Sequence, residues 1–121
     1  MQEYDVVVIG SGPAGEGASM KMSKQGWRVA LVEMQDQVGG NCTHKGTIPS
    51  KALRQIIQRK PNWLEFRDAD YQTLLRHSQI VIEAQVNLRR SFYRGNDVEI
   101  IVGMARFVDP HTIEVTSSGG E

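Results

Sequence analysis

The sequence predicts an α/β fold built on parallel strands, and three consecutive features predict it. Residues 6–9 form a continuous β-branched run without polar alternation, which is typical of a strand covered on both faces. The glycine-rich segment over 10–15 stops that run and opens a helix. A second apolar run over 28–33 follows the helix. Strand, turn, helix and strand in this order form a βαβ unit with parallel strands and a right-handed crossover.

Two helices are predicted in the first half of the chain. The first covers 14–25 and ends at Gly26, because glycine commonly follows the last helical turn. The stretch over 38–49 is rich in glycine and contains a proline, so it is predicted to be a loop. The second helix then begins near Ser50 and is broken at Lys60-Pro61-Asn62.

The second half of the chain predicts a long helix followed by short strands. The helix begins near Asp70 and ends at Gly95-Asn96. Its residues form an amphipathic stripe at alternating four- and three-residue steps. The stripe consists of Leu74, Ser78, Val81, Gln85, Leu88 and Phe92. Strand-like pieces at 99–102, 105–108 and 112–116, with a turn at Asp109-Pro110, predict a small antiparallel β-meander.

Composition and charge exclude several classes of function. The 121 residues are the size of a single domain, and 14 basic residues balance 14 acidic ones. A neutral chain has no global field to attract a phosphate backbone or anionic lipid, so we expect neither a nucleic-acid nor a membrane partner. The single cysteine, Cys42, permits no intrachain disulfide and indicates a reducing compartment. Because the first apolar run is too short for a signal peptide or a membrane span, a cytoplasmic location is expected.

The segment Gly10 to Gly15 has the GxGxxG spacing of a dinucleotide-binding turn. Gly10 permits the tight turn, Gly12 lets backbone approach a pyrophosphate, and Gly15 lets helix and sheet pack closely. With Pro13 and Ala14, these residues open a helix whose free N–H groups and positive dipole end favour phosphate. Since the segment follows a buried strand and opens a helix, it predicts a Rossmann-like nucleotide-binding unit.

An acidic residue ends the second predicted strand. Glu33 lies 23 residues after Gly10, near the spacing of about 20 residues at which a carboxylate accepts hydrogen bonds from ribose hydroxyls. A carboxylate there also disfavours a 2′-phosphate. Glu33 does not by itself distinguish NAD from FAD.

The segment Gly39 to Lys51 resembles a motif of the flavoprotein disulfide reductases that have two dinucleotide-binding domains. In that family the motif carries two cysteines, which form a redox disulfide beside FAD. This chain has Cys42 at the first position and Thr47 at the second. Because a threonine hydroxyl forms no disulfide, dithiol–disulfide chemistry is excluded at this motif.

One branch of the family, the soluble pyridine nucleotide transhydrogenases, is similar at every fixed position over 42–54. Segments 12–17, 38–40 and 103–109 also resemble that branch. The resemblance implies a Rossmann-like FAD-binding domain with a parallel βαβ core, a long helix and a small antiparallel meander. Residues 1–121 would be its incomplete N-terminal part, without the NAD(P)-binding and dimerisation domains.

The resemblance also implies roles for single residues. The glycine-rich turn would cradle the FAD pyrophosphate, and the acid ending the second strand would hold the adenosine ribose. Gly40 and Cys42 would line the isoalloxazine and its ribityl arm, and Thr47 would face the flavin where the second thiol is absent. Lys51 would lie near flavin N5, where a positive charge stabilises the reduced ring. Ala105 would contact adenine through backbone groups.

The activity implied by the resemblance is Si-specific transfer of hydride from NADPH to FAD and then to NAD⁺. FAD would be the cofactor, and NADP(H) and NAD(H) would be the substrates and the small-molecule partners. A homo-oligomer would form through the C-terminal domain. We expect residues 1–121 alone to be inactive and to bind FAD weakly. Two alternatives stay open, namely a non-catalytic dinucleotide-binding module and a family flavoprotein with another electron acceptor.

The histidine near Cys42 and the arginines of the long helix are not assigned a function. His44 is predicted to be an exposed loop residue, and no second ligand stands at metal-binding spacing around it and Cys42, so no metal site is expected. Arg89, Arg90 and Arg94 form a basic cluster on the long helix. It is predicted to be a solvated face, because no aromatic residues interleave it as in a nucleic-acid surface.

Overall fold

A computed structural model of the chain describes residues 1–59 and 71–117. In chain order its elements are β1 (Val6–Ile9), α1 (Pro13–Lys24), β2 (Val29–Glu33), α2 (Gly40–His44), α3 (Thr47–Arg59), α4 (Tyr71–Gly95), β3 (Glu99–Val102), β4 (Met104–Asp109) and β5 (Thr112–Thr116). The predicted helix breaker at 60–62 lies outside the described residues. Within the described part of the chain, no helix is long and apolar enough to cross a membrane.

Strands β1, β2 and β3 form one parallel sheet with β2 in the centre. All five residues of β2 are buried, which explains why this segment has an uninterrupted apolar run. The predicted α/β class and the βαβ unit are therefore confirmed. The register pairs Val6 with Val29 on one side and Ala30 with Glu99 on the other.

The small antiparallel unit consists of two strands, β4 and β5, joined at Asp109 and Thr112. The prediction that 99–102 belongs to this antiparallel group was wrong, because that segment is β3 of the parallel sheet. The physical reason is the long helix α4 before it. A helical crossover returns the chain from the carboxyl end of β2 to its amino end, so the next strand runs parallel to β2.

The segment predicted as a loop over 38–49 contains the five-residue helix α2 and the start of α3. Helix α3 begins at Thr47, three residues before the predicted Ser50, so Lys51 lies in its second turn. Pro49 is tolerated in the first turn because the N–H it lacks would have no helical partner there.

The hydrophobic core lies between the sheet and the helices. Its buried members are Val29, Leu31, Val38, Ile82, Val86, Tyr93 and Val98. On α4 the buried residues are Ser78, Ile82, Val86 and Tyr93, and of the predicted stripe they include only Ser78. Val81, Leu88 and Phe92 are exposed by 38% to 48%. Two neighbouring rows of α4 carry apolar residues, and the elements against which α4 packs, α3, α2 and β3, decide which row is buried.

Candidate nucleotide-binding site

A cavity of about 780 Å³ lies at the carboxyl ends of the three parallel strands. This edge of an α/β sheet is where ligands bind in folds of this class. The predicted site residues that line the cavity are Gly10, Gly12, Glu33, Gly40 and Ala105. Residues 34–37, His44 and Lys45 line it as well.

The glycine-rich turn meets two different constraints. Gly10 has φ +91°, a conformation that favours glycine, and its N–H donates to Val32 O at 2.7 Å. A Cβ on Gly15 would lie 1.8 Å from the carbonyl oxygen of Gly10, so helix α1 approaches the turn closely. These two glycines therefore serve the fold directly.

Gly12 is different, because its φ of −66° suits any residue. A Cβ added there would meet no protein atom within 4 Å among the described residues. Gly12 is also the N-cap of α1, and no side chain caps the helix. The first N–H groups of α1 are therefore available to an anion beside an open space.

The Gly39–Gly40 turn closes over the glycine-rich turn. Both residues have positive φ, +117° and +59°. A Cβ on Gly40 would lie 2.9 Å from the Cα of Gly12, so the two backbones are in direct contact. The glycine pair thus brings the start of α2 to the N-terminus of α1.

Glu33 is the polar centre of the cavity wall and is only 5% exposed. Its Oε2 accepts hydrogen bonds from the Ser11 N–H at 2.9 Å and from Ser11 Oγ at 2.5 Å, and its Oε1 accepts from the Gln35 N–H at 2.9 Å. Burial raises the pKa of the Glu33 carboxyl, but the hydrogen bonds from Ser11 and from neighbouring backbone N–H groups outweigh it, so the pKa lies below its usual value. The carboxylate is therefore charged and held in place at neutral pH.

The remaining predicted site residues do not line this cavity. Pro13 and Ala14 are exposed in the first turn of α1, directly after Gly12. Cys42 is a half-buried free cysteine on α2. Thr47 and Lys51 are exposed on α3. The cavity thus gathers residues predicted for the pyrophosphate, ribose and adenine, together with Gly40. The other residues predicted for the reactive ring lie outside its lining, on α2 and α3.

Two residues at the site form hydrogen bonds that were not predicted from the sequence. Ser11 is completely buried and contacts both Glu33 and the Gly39 N–H. The prediction that His44 is an exposed loop residue was wrong, because His44 is half-buried on α2 with Nε2 2.9 Å from Val38 O. Sequence spacing does not indicate these contacts. Glu33 and Gly39 are distant from Ser11 in the sequence, and His44 and Val38 lie in the segment predicted to be a loop.

The predicted solvated arginine face was also partly wrong. Arg89 forms an ion pair with Glu16 of α1 at 2.9 Å, and their side chains are 16% and 31% exposed. Arg90 donates to the Asp36 carbonyl at 2.7 Å. These arginines tie α4 to α1 and to the loop that lines the cavity.

The chain is similar over most of its length to proteins of a known family. A model of the pyridine nucleotide-disulphide oxidoreductase family matches residues 4–120. A soluble pyridine nucleotide transhydrogenase of Vibrio vulnificus is 49% identical over 97% of this chain and 27% of its own length. The Hahella chejuensis protein of the same name is 52% identical over 93% of this chain and 26% of its own length. The chain therefore spans about a quarter of these relatives.

A solved structure shows the same fold. The Cu(II) complex of the HOCl-induced flavoprotein disulfide reductase RclA from Escherichia coli matches with a TM-score of 0.82 and 29% sequence identity. The match covers 99% of this chain and 26% of that chain. The parallel sheet with its helices and small antiparallel hairpin is thus the FAD-binding fold of that group. With the family match over nearly its whole length, the chain belongs to the pyridine nucleotide-disulphide oxidoreductase family.

Proposed function

We propose that the cavity binds the adenosine diphosphate half of FAD, and that residues 1–121 are the N-terminal part of an FAD-binding domain. The whole protein would transfer hydride from NADPH through FAD to NAD⁺. The observation that carries the proposal is the free space at Gly12. Neither its φ nor any described side chain requires glycine at this position, whereas a pyrophosphate approaching the N-terminus of α1 does.

The rest of the cavity fits the same ligand. Its volume of about 780 Å³ lies within the range of about 300–1,000 Å³ common for small-molecule sites. Glu33 offers a buried, charged acceptor for ribose hydroxyls, and Ala105 would present backbone groups to adenine. Bound FAD would supply the hydride chemistry, while these residues bind and orient its adenosine half.

The type of reaction is proposed from the segment on α2 and α3. Thr47 stands where the disulfide reductases carry a second cysteine, so Cys42 has no partner in this chain for dithiol exchange. The Vibrio and Hahella relatives are named soluble pyridine nucleotide transhydrogenases, and these names support transfer of hydride between pyridine nucleotides. In that reaction Lys51 would stabilise the reduced flavin by its charge. NADP(H) and NAD(H) would be the substrates. The whole protein would be cytoplasmic and would form a homo-oligomer.

The binding part is tested by two alanine substitutions on the same turn and helix. Gly12→Ala should weaken FAD and ADP binding at least about tenfold, because the new methyl group displaces the pyrophosphate. Gly17→Ala adds a methyl group at another position with no protein atom within 4 Å, and should leave binding unchanged. Calorimetric titration of the folded variants with FAD, ADP and NAD⁺ measures this. Equal affinity of Gly12→Ala and the wild type for FAD would overturn the proposal, and preference for NAD⁺ would favour the non-catalytic module.

The reaction is tested in a chimera. This chain would replace the matching segment of the Vibrio vulnificus relative, of which it covers 27%. We expect the chimera to bind FAD and to reduce a thionicotinamide analogue of NAD⁺ with NADPH. A yellow, folded chimera that reduces a disulfide substrate but not the NAD⁺ analogue would contradict the transhydrogenase proposal.

A further inference from the structure

Ser11 lies where three segments of the cavity wall meet. It is completely buried, and its Oγ donates to Glu33 Oε2 at 2.5 Å. The same Oγ accepts a hydrogen bond from the Gly39 N–H at 2.9 Å. Its backbone N–H donates to Glu33 Oε2 at 2.9 Å. One residue therefore joins the glycine-rich turn, the carboxyl end of β2 and the Gly39–Gly40 turn.

The GxGxxG spacing does not require this serine. The position after the first glycine is free in that motif, whose glycines serve the turn, the phosphate approach and the helix packing. A hydroxyl group has one proton to donate and can accept two hydrogen bonds. The Ser11 hydroxyl donates its proton to Glu33 and accepts a hydrogen bond from the Gly39 N–H. Alanine or glycine at this position could form neither hydrogen bond.

We propose that Ser11 is a positioning residue of the nucleotide site, whose hydroxyl couples the Glu33 carboxylate to the Gly39–Gly40 turn. The identity of the nucleotide rests on the proposed function, whereas the coupling is a property of the chain without ligand. Since Gly40 contacts Gly12, the coupling extends from the ribose-binding carboxylate to the phosphate-binding turn. A nucleotide held at one end would therefore stabilise the other.

Loss of the Ser11 hydroxyl would leave two groups without a hydrogen-bond partner that they have in the wild type. Glu33 would lose a charge-assisted hydrogen bond, and the Gly39 N–H, which belongs to a buried residue, would lose its hydroxyl acceptor. Both effects appear at residues other than Ser11 itself. They can therefore be measured separately from a general loss of stability.

The test compares Ser11→Ala with Ser19→Ala. Ser19 is also 0% exposed, and its Oγ donates to Gly15 O at 2.8 Å, so the control removes an equally buried hydroxyl away from Glu33. In Ser11→Ala we expect the pKa of Glu33 to rise, Gly39 amide exchange to accelerate about tenfold and ADP affinity to fall about tenfold. Ser19→Ala should change none of the three, and Ser11→Thr, which keeps the hydroxyl, should restore them. Carboxyl NMR titration, amide hydrogen exchange and calorimetry provide the measurements.

The coupling is overturned if Ser11→Ala leaves the Glu33 pKa and Gly39 exchange as they are in Ser19→Ala. If Ser11→Ala does not fold, Glu33→Gln gives the reciprocal measurement, because a weaker acceptor for Ser11 must accelerate Gly39 exchange. Unchanged Gly39 exchange in Glu33→Gln then contradicts the coupling. A wild-type chain that binds neither FAD nor ADP would defeat the proposed function, while the shifts at Glu33 and Gly39 would still support the coupling.

Discussion

Gly15 and Gly17 are two residues apart on α1 but have different surroundings. A Cβ on Gly15 would collide with the Gly10 carbonyl oxygen at 1.8 Å and approach Val8 Cγ1 at 3.3 Å, whereas one on Gly17 would meet nothing within 4 Å. Gly15→Ala should therefore lower the free energy of unfolding by about 3 kcal/mol or more. Gly17→Ala should raise it by about 0.5–1 kcal/mol, because alanine is the better helix former. Urea unfolding measures both, and similar values for the two variants would contradict the close packing.

Glu33 predicts a pH dependence of stability. Because its pKa is lower in the folded chain than its usual value, it stabilises the fold above that usual value, and this contribution is lost as the pH falls through the folded pKa. Glu33→Gln should lower the free energy of unfolding by about 1–3 kcal/mol at pH 7. The difference from the wild type should shrink as the pH falls below 4.5, the usual pKa of the group. Urea unfolding from pH 7 to pH 3 would show it, and a difference that does not change with pH would be the contrary result.

At the scale of single residues, the sequence was sufficient to predict the location of site residues where that location depends on local spacing. Gly10, Gly12 and Glu33 could be placed because a turn and a strand end put them at one edge of the sheet. Ser11 could not be recognised, since its partners at Glu33 and Gly39 are 22 and 28 positions away and only folding brings them together. A small polar residue inside the glycine turn was the only available signal.

Among the elements, α1 and α4 are joined by the Arg89–Glu16 ion pair. The side chains are only 16% and 31% exposed, so solvent screens the pair incompletely. A double-mutant cycle with Arg89→Met and Glu16→Gln should give a coupling energy of about 1 kcal/mol. The hairpin pair Arg106–Glu114, with side chains 73% and 48% exposed, is the matched control and should show no measurable coupling. Equal coupling in the two cycles would refute a specific tie between the helices.

The elements were predicted where periodicity and breakers agree. Strands β1 and β2 and helix α1 were placed within one residue, because a buried strand, a glycine turn and a helix each give a strong local pattern. Helix α2 was missed because its left-handed glycines are also typical of loops. The buried face of α4 and the pairing of β3 depend on which neighbour they meet, and a single sequence does not contain that information.

At the scale of the whole chain, residues 1–121 span about a quarter of the length of the curated relatives. The described cavity gathers the groups proposed for the adenosine and pyrophosphate, while Lys51 and Thr47 lie outside it on α3. We therefore expect the 121-residue chain to bind ADP and FAD with similar, weak affinity, because the flavin half adds few contacts. Calorimetry compares the two ligands, and an FAD affinity a hundredfold higher than that for ADP would contradict this division.

Binding of adenosine and pyrophosphate by the cavity at the carboxyl edge of the sheet is tested most directly by an amide NMR titration of the chain with FAD. We predict saturable shifts at the amides of Gly10, Ser11, Gly12, Gly40 and Ala105, reproduced by ADP alone. Saturable FAD binding that shifts other amides and leaves these five unchanged would contradict it.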